Sequence, residues 1–338
     1  MSAVPEQQSD LFGGLSTAAE GAGRRRSVQV RAVARDPEHV ALANRLPAQL
    51  RFGTSTWSFS GWQGIVYDGE YDESRLAREG LAAYAQHPLL RAVGVDRSYY
   101  RPLTGDTLTR MRKAVSGDFR FLLKAHAALM LPKSASRPSF LSGVGDVFLD
   151  ADHATRLVVD PARRALGETL GVVLFQFSPL GERVLRHRGA LLERLHGFLR
   201  ALPPGVSYAI EWRDAAMLGA DYQSLLADVG AVHACVAHPR MPPVDEQGAD
   251  LAAAGPLVIR WLLAPGRGYQ EAKAAYAPFD RLVDRDVEAR RRIVELLLDA
   301  ARRGREAVVI VNNKAEGSAP LGIGELAREC AVRAASLG

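Results

Sequence analysis

Eight short runs of apolar, β-prone residues, separated by stretches with helical spacing, constrain this chain more than any other feature. They fall at residues 51–56, 92–97, 119–125, 171–177, 206–212, 231–237, 256–262 and 307–311. Helical patterns lie between most of them, at 73–85, 107–115, 182–202 and 286–303, with a last one at 324–337. The 182–202 stretch puts Leu185, Leu192, Leu195, Leu199 and Leu202 at helical spacing. The 286–303 stretch does the same with Val287, Ile293, Leu297 and Ala300 before Gly304 stops it. Strands that alternate with helices pair in parallel, giving an α/β protein. Eight of them favour a closed (β/α)8 TIM barrel over an open doubly wound sheet. No Gly-x-Gly-x-x-Gly or Walker-type loop follows the first run, which argues against a nucleotide-binding Rossmann fold.

The 338-residue length leaves room for one such barrel plus a tail. Residues 1–48 contain few large apolar side chains and a basic run, Arg24–Arg26, so this segment is expected to be a disordered tail. The barrel domain is expected to span 49–338. Cys235 and Cys330 are the two cysteines, too few for a disulfide framework or a cysteine metal site. No apolar stretch is long enough for a membrane span and no secretory signal is evident, so the expected setting is cytoplasmic, away from membranes. The net charge of +5 is compatible with anionic partners, although runs such as Arg290–Arg292 read first as solvated helix faces.

The strand ends carry a further signal. Gly53-Thr-Ser-Thr-Trp57 leads to Gly61-Trp62 and Tyr67, and Ser98-Tyr-Tyr-Arg101 follows the second run. Next come Phe119-Arg-Phe-Leu-Leu-Lys124, Leu174-Phe-Gln-Phe177 with Pro179, and Ile210-Glu-Trp-Arg213. The set closes with Asn312-Asn313 followed by Gly317, Ala319 and Pro320. In this order, from about Leu50 to Leu326, the segments resemble the YecE-like family, domain of unknown function 72. The resemblance implies a TIM barrel. It fixes no reaction, because the family is only loosely likened to sugar-isomerase-type barrels. The chain is a divergent member. Gly94 and Asp96 stand where the family reads Glu-x-Asn, Asp214 follows Arg213 where a histidine is usual, and Arg260-Trp-Leu-Leu263 lacks the family's histidine.

TIM-barrel sites lie at the C-terminal ends of the strands, so the polar residues there are the candidates. Glu211, Lys124 and Asp96 are the candidate catalytic groups: Glu211 as acid/base or electrostatic stabiliser, Lys124 as electrophile, anion holder or Schiff-base amine. Side chains two apart share a strand face, which pairs Glu211 with Arg213, Lys124 with His126 and Asp96 with Ser98. A carboxylate beside a guanidinium suits anchoring better than proton transfer, and a structural ion pair plugging the mouth is the plain alternative. Arg101, Arg213 and Arg260 add cations that favour an anionic ligand. Trp57 and Tyr100 offer faces for a sugar ring or base, against the commoner fate of core packing. Gln176 and Asn312 can orient a hydroxyl or satisfy loop backbone.

The sequence leaves any cofactor unknown, with a divalent metal as a candidate. Asp96, His126, Glu211 and His238 have the chemistry for Mg²⁺, Mn²⁺ or Zn²⁺, but no local spacing supports a metal.

In the tail, Gln8-Ser-Asp-Leu-Phe12 resembles the pentapeptide with which bacterial proteins dock on the DNA sliding clamp. Gln8 supplies an amide, Leu11 and Phe12 two apolar anchors, and Gly13-Gly14 a flexible exit. A polar tail without function is the competing reading. Three functions are therefore in play: an enzyme on an anionic sugar or sugar phosphate, isomerase-like or hydrolytic; a DNA-associated protein recruited by the clamp, its barrel binding or processing nucleic acid; and a barrel that binds without catalysis.

Overall fold

The computed structural model describes residues 29–132, 141, 145–248 and 255–335. Its centre is a closed parallel barrel of eight strands in sequence order. They are β1 (Leu50–Thr54), β2 (Leu90–Val95), β3 (Arg120–Lys124), β4 (Leu170–Gln176), β5 (Tyr208–Glu211), β6 (Val232–Ala237), β7 (Leu257–Trp261) and β8 (Ala307–Val311). The barrel closes where Leu50 of β1 pairs with Ala307 of β8. Every strand coincides with an expected run, β8 residue for residue; the others begin or end a few residues off. Asp96 and Arg97 leave the sheet for a 3-10 turn, Asp96–Tyr99, and Arg213 lies beyond the end of β5.

Alternation sets the two faces. Ala92, Leu122, Val172, Leu174, Ala209, Val258, Val308 and Ile310 form one buried cluster that fills the barrel. The intervening residues, including Phe121, Phe175, Ile259 and Trp261, belong to a larger cluster shared with the helices. Bulky branched side chains in layers make a TIM barrel a packed core and not a pore. At β1 the wall is unusually tight. A β-carbon on Gly53 would sit 2.0 Å from the Ala92 carbonyl oxygen, at the point where the β1–β2 register shifts, so only glycine fits.

The helices are α1 (Pro37–Arg45), α2 (Glu73–Glu79), α3 (Leu81–Tyr84), α4 (Gly105–Lys113), α5 (Ala151–Ala154), α6 (Asp160–Leu166), α7 (Glu182–Leu185), α8 (Arg188–Ala201), α9 (Ala220–Val229), α10 (Tyr269–Tyr276), α11 (Val287–Arg302) and α12 (Ala319–Ala335). A π-helical turn, Thr155–Val159, joins α5 to α6. Two long expected helices are interrupted, one after Glu79 and one after Leu185. Between β6 and β7 the described residues hold a 3-10 turn, Val244–Glu246, instead of a long helix. There the Gln247 side chain takes over: its Oε1 accepts from the Val236 N–H at 2.9 Å and its Nε2 donates to the Val236 carbonyl at 2.8 Å.

The expected tail 1–48 is corrected at its C-terminal part. Asp36 caps α1 by accepting from the Glu38 N–H, Pro37 occupies the first turn, and Leu42 is buried. Arg328 of α12 donates to Glu38 at 2.6 Å, so this helix is stitched to the barrel's outer layer. One buried leucine gives α1 too little apolar periodicity to stand out in the sequence. Residues 1–28, with Gln8, Leu11 and Phe12, lie outside the described residues.

At the N-terminal end of the strands the inward positions are charged. Glu306 Oε1 lies 3.1 Å from Arg120 Nε and 3.9 Å from Arg51 Nε, and Arg51 also donates to the Asp118 carbonyl at 3.0 Å. This ion-paired floor seals the barrel below its apolar filling. Cys235 and Cys330 are both buried and unpaired with each other. Among the described residues no helix is long and apolar enough to cross a membrane.

Candidate functional site

The inward alternation that is apolar in mid-barrel becomes polar at the C-terminal ends. Two residues beyond Leu122 comes Lys124; beyond Leu174, Gln176; beyond Ala209, Glu211; beyond Val258, Arg260; and beyond Ile310, Asn312. Asp96 follows Ala92 and Gly94 on the same parity. The apolar filling thus underlies the mouth, and the ring above it holds the candidate chemistry.

Three of these groups, with Arg213 beyond β5, form a continuous ion chain. Arg213 donates from Nε to Glu211 Oε1 at 2.7 Å, and its Nη2 lies 2.6 Å from the same oxygen. Arg260 donates from Nη1 to Glu211 Oε2 at 2.9 Å and from Nη2 to both Asp96 oxygens, at 3.1 and 3.2 Å. Burial alone would raise the Glu211 carboxyl, but Arg260, Arg213 and Lys124 outweigh it and bring it down to about 2. Of the two roles expected for Glu211, this geometry favours electrostatic stabiliser over acid/base. A fully buried carboxylate with both oxygens taken by guanidinium groups stays ionised and organises cations. Asp96 is the carboxylate of the chain that reaches solvent, with 27% of its side chain exposed.

Lys124 is placed differently. It is 2% exposed, and its Nζ sits 3.8 Å from the centre of the Tyr99 ring. Among the described residues that amine makes no hydrogen bond or salt bridge. Burial, opposed by Asp96 and Glu211 but helped by the arginines, lowers it to about 8.

A cleft of about 120 Å³ opens over this ring, lined by Asp96, Lys124, Arg213, Arg260 and Asn312, with Tyr100, His238 and Glu73 at its sides. Tyr100 therefore faces the cleft as expected of a ring-binding residue, and burial with Asp96 nearby raises its phenol. Asn312 Oδ1 accepts from the Lys314 N–H at 3.0 Å. His238 Nδ1 accepts from the Arg240 N–H at 3.1 Å, which leaves Nε2 to carry the proton of the neutral ring. Burial and the nearby Arg213 lower this imidazole to about 4.

Three expected ligand contacts lie elsewhere. Trp57 is packed below the loop: its indole N–H donates to the Leu76 carbonyl at 3.0 Å and its ring stacks under the Arg97 guanidinium at 4.9 Å. The chain turns after Thr54, so strand parity no longer governs that side chain. Arg101 is exposed and lies outside the cleft lining. Gln176 is buried beside Glu211 in the β4–β5 ladder and does not line the cleft; among the described residues its Oε1 has no hydrogen-bond partner. Ser98, paired in expectation with Asp96, turns instead to the sheet and donates to the Lys124 carbonyl at 2.6 Å. The described residues hold no group of three or more His, Cys, Asp or Glu positioned for a metal, so Asp96, His126, Glu211 and His238 do not converge as one.

Lys314 is a residue that sequence reasoning missed. It is buried, its Nζ lies 4.3 Å from the Tyr269 ring centre and 3.4 Å from Asn312 Oδ1, and burial together with Lys273 lowers it to about 8. The strand-end rule overlooks it because it stands in the turn after β8. Glu73 is a second omission: it lies at the start of α2, and its carboxyl is raised by burial despite Lys273.

The profile of a family described as "Protein of unknown function DUF72" matches residues 51–337. Among solved structures, a DUF72 family protein from Thermotoga maritima MSB8 aligns with a TM-score of 0.57 at 20% identity, covering 83% of this chain and 98% of its own. A DUF72 family protein from Enterococcus faecalis V583 aligns with the same TM-score at 16% identity, covering 82% and 95%. These two likenesses bear on the fold. No curated protein matches the sequence. A closed barrel, a polar ring built from the motif residues and a match spanning every strand together establish that this chain belongs to the DUF72 family.

Proposed function

We propose that the barrel mouth binds and transforms an anionic small molecule of the sugar or sugar-phosphate class. The observation that carries this reading is the charge balance of the cleft. Glu211 and Asp96 already compensate Arg213 and Arg260 in direct ion pairs, whereas the buried Lys124 ammonium feels these carboxylates only at a distance and rests over the Tyr99 ring with no hydrogen-bond acceptor among the described residues. A buried charge without an acceptor is costly, and an anionic ligand supplies the missing acceptor.

The residues divide the work. Lys124 meets the anionic or carbonyl oxygen. Arg213 and Arg260, fixed by Glu211, present a rigid positive wall that needs no rearrangement when a ligand arrives. Asp96 and the neutral His238 offer an acceptor and an Nε2–H donor for sugar hydroxyls, and Tyr100 supplies an apolar face. Glu73, at the exposed rim of the cleft, is free of the ion pairs that fix Glu211. The test is a calorimetric comparison of phosphorylated sugars with their neutral parents, on the native chain and on Lys124→Gln. Binding of the phosphorylated forms that weakens in the variant supports the reading; equal affinity for neutral and phosphorylated sugars refutes it.

A second reading concerns where the protein works. The pentapeptide Gln8–Phe12 has the amide and paired apolar anchors of a sliding-clamp ligand, and that motif favours recruitment of the barrel to DNA-associated clamps.

A further inference from the structure

Cations in this chain are almost all arginine; lysine stands at 113, 124, 133, 273 and 314. Arginine is the better residue for holding an anion with a fixed fork of donors, and it stays charged at any physiological pH. Lysine gives up its proton when buried, and the free amine is a nucleophile. The ring at the barrel mouth uses arginine at 213 and 260 and lysine at 124, so the three cations are not equivalent.

Two buried lysines border this region, and their surroundings separate them. Lys314 is tied to Asn312 Oδ1 and packed over Tyr269. Lys124 has no hydrogen-bond partner among the described residues, lines the cleft directly, and lies over the Tyr99 ring at its base. A nucleophile needs an accessible lone pair and room for the electrophile, which Lys124 has and Lys314 lacks.

We propose that Lys124 forms a Schiff base with an aldehyde or ketone carried by the anionic ligand. This rests on the anion-binding reading of the same cleft and adds a covalent step to it. The ammonium first gives one proton to cleft water. The Nζ lone pair then attacks the carbonyl carbon, a C–N bond forms, and the π pair moves to oxygen, which takes up a proton. The nitrogen, now positively charged with two hydrogens, gives up one of them, and the hydroxyl leaves as water with that proton while the nitrogen lone pair closes the C=N bond. Ammonium plus carbonyl thus become protonated imine plus water, with no oxidant or reductant required. Asp96 and the Nε2–H of His238 line the same cleft and can pass the protons. An amine lowered to about 8 also holds on the order of a hundred times more free base near pH 7.5 than an ordinary lysine.

The experiment incubates the full chain with glyceraldehyde 3-phosphate, fructose 6-phosphate or pyruvate in the presence of sodium cyanoborohydride, and maps the reduced adduct by peptide mass spectrometry. Glycerol 3-phosphate, which has no carbonyl, serves as competitor, and its own binding is measured by calorimetry. The expected result is adduct at Lys124, formed on the order of a hundredfold faster than at the exposed Lys113. It is blocked by glycerol 3-phosphate, lost in Lys124→Arg and kept in Lys314→Arg. Glycerol 3-phosphate binding without preferential labelling of Lys124 overturns the Schiff base and leaves the anion site standing. Labelling of Lys124 no faster than Lys113 and no binding of the competitor overturn both. Circular dichroism of Lys124→Arg keeps a folding defect from being read as loss of the amine.

Discussion

Arg260 and Glu211 meet at 2.9 Å across the barrel mouth, from β7 and β5, with 2% and 0% of their side chains exposed. The same guanidinium reaches Asp96 beyond β2. Three non-adjacent strands are therefore joined by one side chain, at the level where the ring changes from apolar to polar. Removing one partner of a buried pair strands the other charge. Glu211→Ala should lower stability by about 3–5 kcal/mol, read as a shift in the urea midpoint. A loss below about 1 kcal/mol, no more than an exposed pair gives, would contradict the buried network.

The same carboxylate sets an acid limit. Its folded value of about 2 lies below the ordinary 4.5, so the folded state holds fewer protons than the unfolded one in between. Stability from this group is present in full above about pH 4.5 and is lost as pH falls towards 2. Native chain and Glu211→Gln should therefore converge in stability on acidification. Parallel curves down to pH 2 would speak against the assignment.

Lys124 acts with the same sign, in a higher pH window. Its folded value of about 8 lies below the ordinary 10.5, so between these pH values the unfolded chain binds the extra proton and stability rises with pH. Noncovalent anion binding needs the ammonium and should weaken as pH rises through about 8. His238, lowered to about 4, stays neutral from pH 5 to 7, so any change in affinity there should follow the second ionisation of the ligand's phosphate, at about pH 6. Isothermal titration with glycerol 3-phosphate from pH 5 to 9.5 reads both limbs; affinity that climbs above pH 8 would exclude Lys124 as the anion contact.

The floor offers a control. Glu306 joins Arg51 and Arg120 at the far end of the barrel and is partly exposed. Glu306→Gln should cost about 1 kcal/mol of stability and leave ligand affinity at the mouth unchanged. A change in affinity without a change in fold would mean that the two ends are coupled through the core.

For the tail, full-length chain and its Leu11→Ala/Phe12→Ala form should differ in binding to purified bacterial sliding clamp. A short segment that orders on binding gives a Kd of about a micromolar, and the double variant should lose it. Indistinguishable surface-plasmon traces from the two proteins would end the clamp reading.

Sequence alternation made the barrel legible and, through it, most of the mouth. Lys124, Glu211, Arg260 and Asn312 all extend an inward apolar row by two residues, so strand parity alone predicts their side. Trp57 broke the rule because the backbone turns after Thr54, and an indole carries no mark of which way it faces. The Arg260 bridge was illegible for another reason: its partners lie 49 and 164 residues away, joined only by closure of the barrel. Lys314 sits in a turn, where no period exists to flag it, and α1 buries a single leucine. Its Asp-Pro start was a readable helix signal, outweighed by the polar composition around it.

The apolar filling between floor and mouth, with Leu122, Val172, Leu174 and Ile310 at its heart, has a consequence for traffic. Among the described residues, this filling and the Glu306 ion pairs beneath it occupy the axis. Whatever enters over Asp96 and Lys124 departs by the same vestibule, so a spent molecule must vacate the threshold before the next is admitted. On the proposed reading, clearance of one ligand from such a blind alcove limits how soon the next can bind.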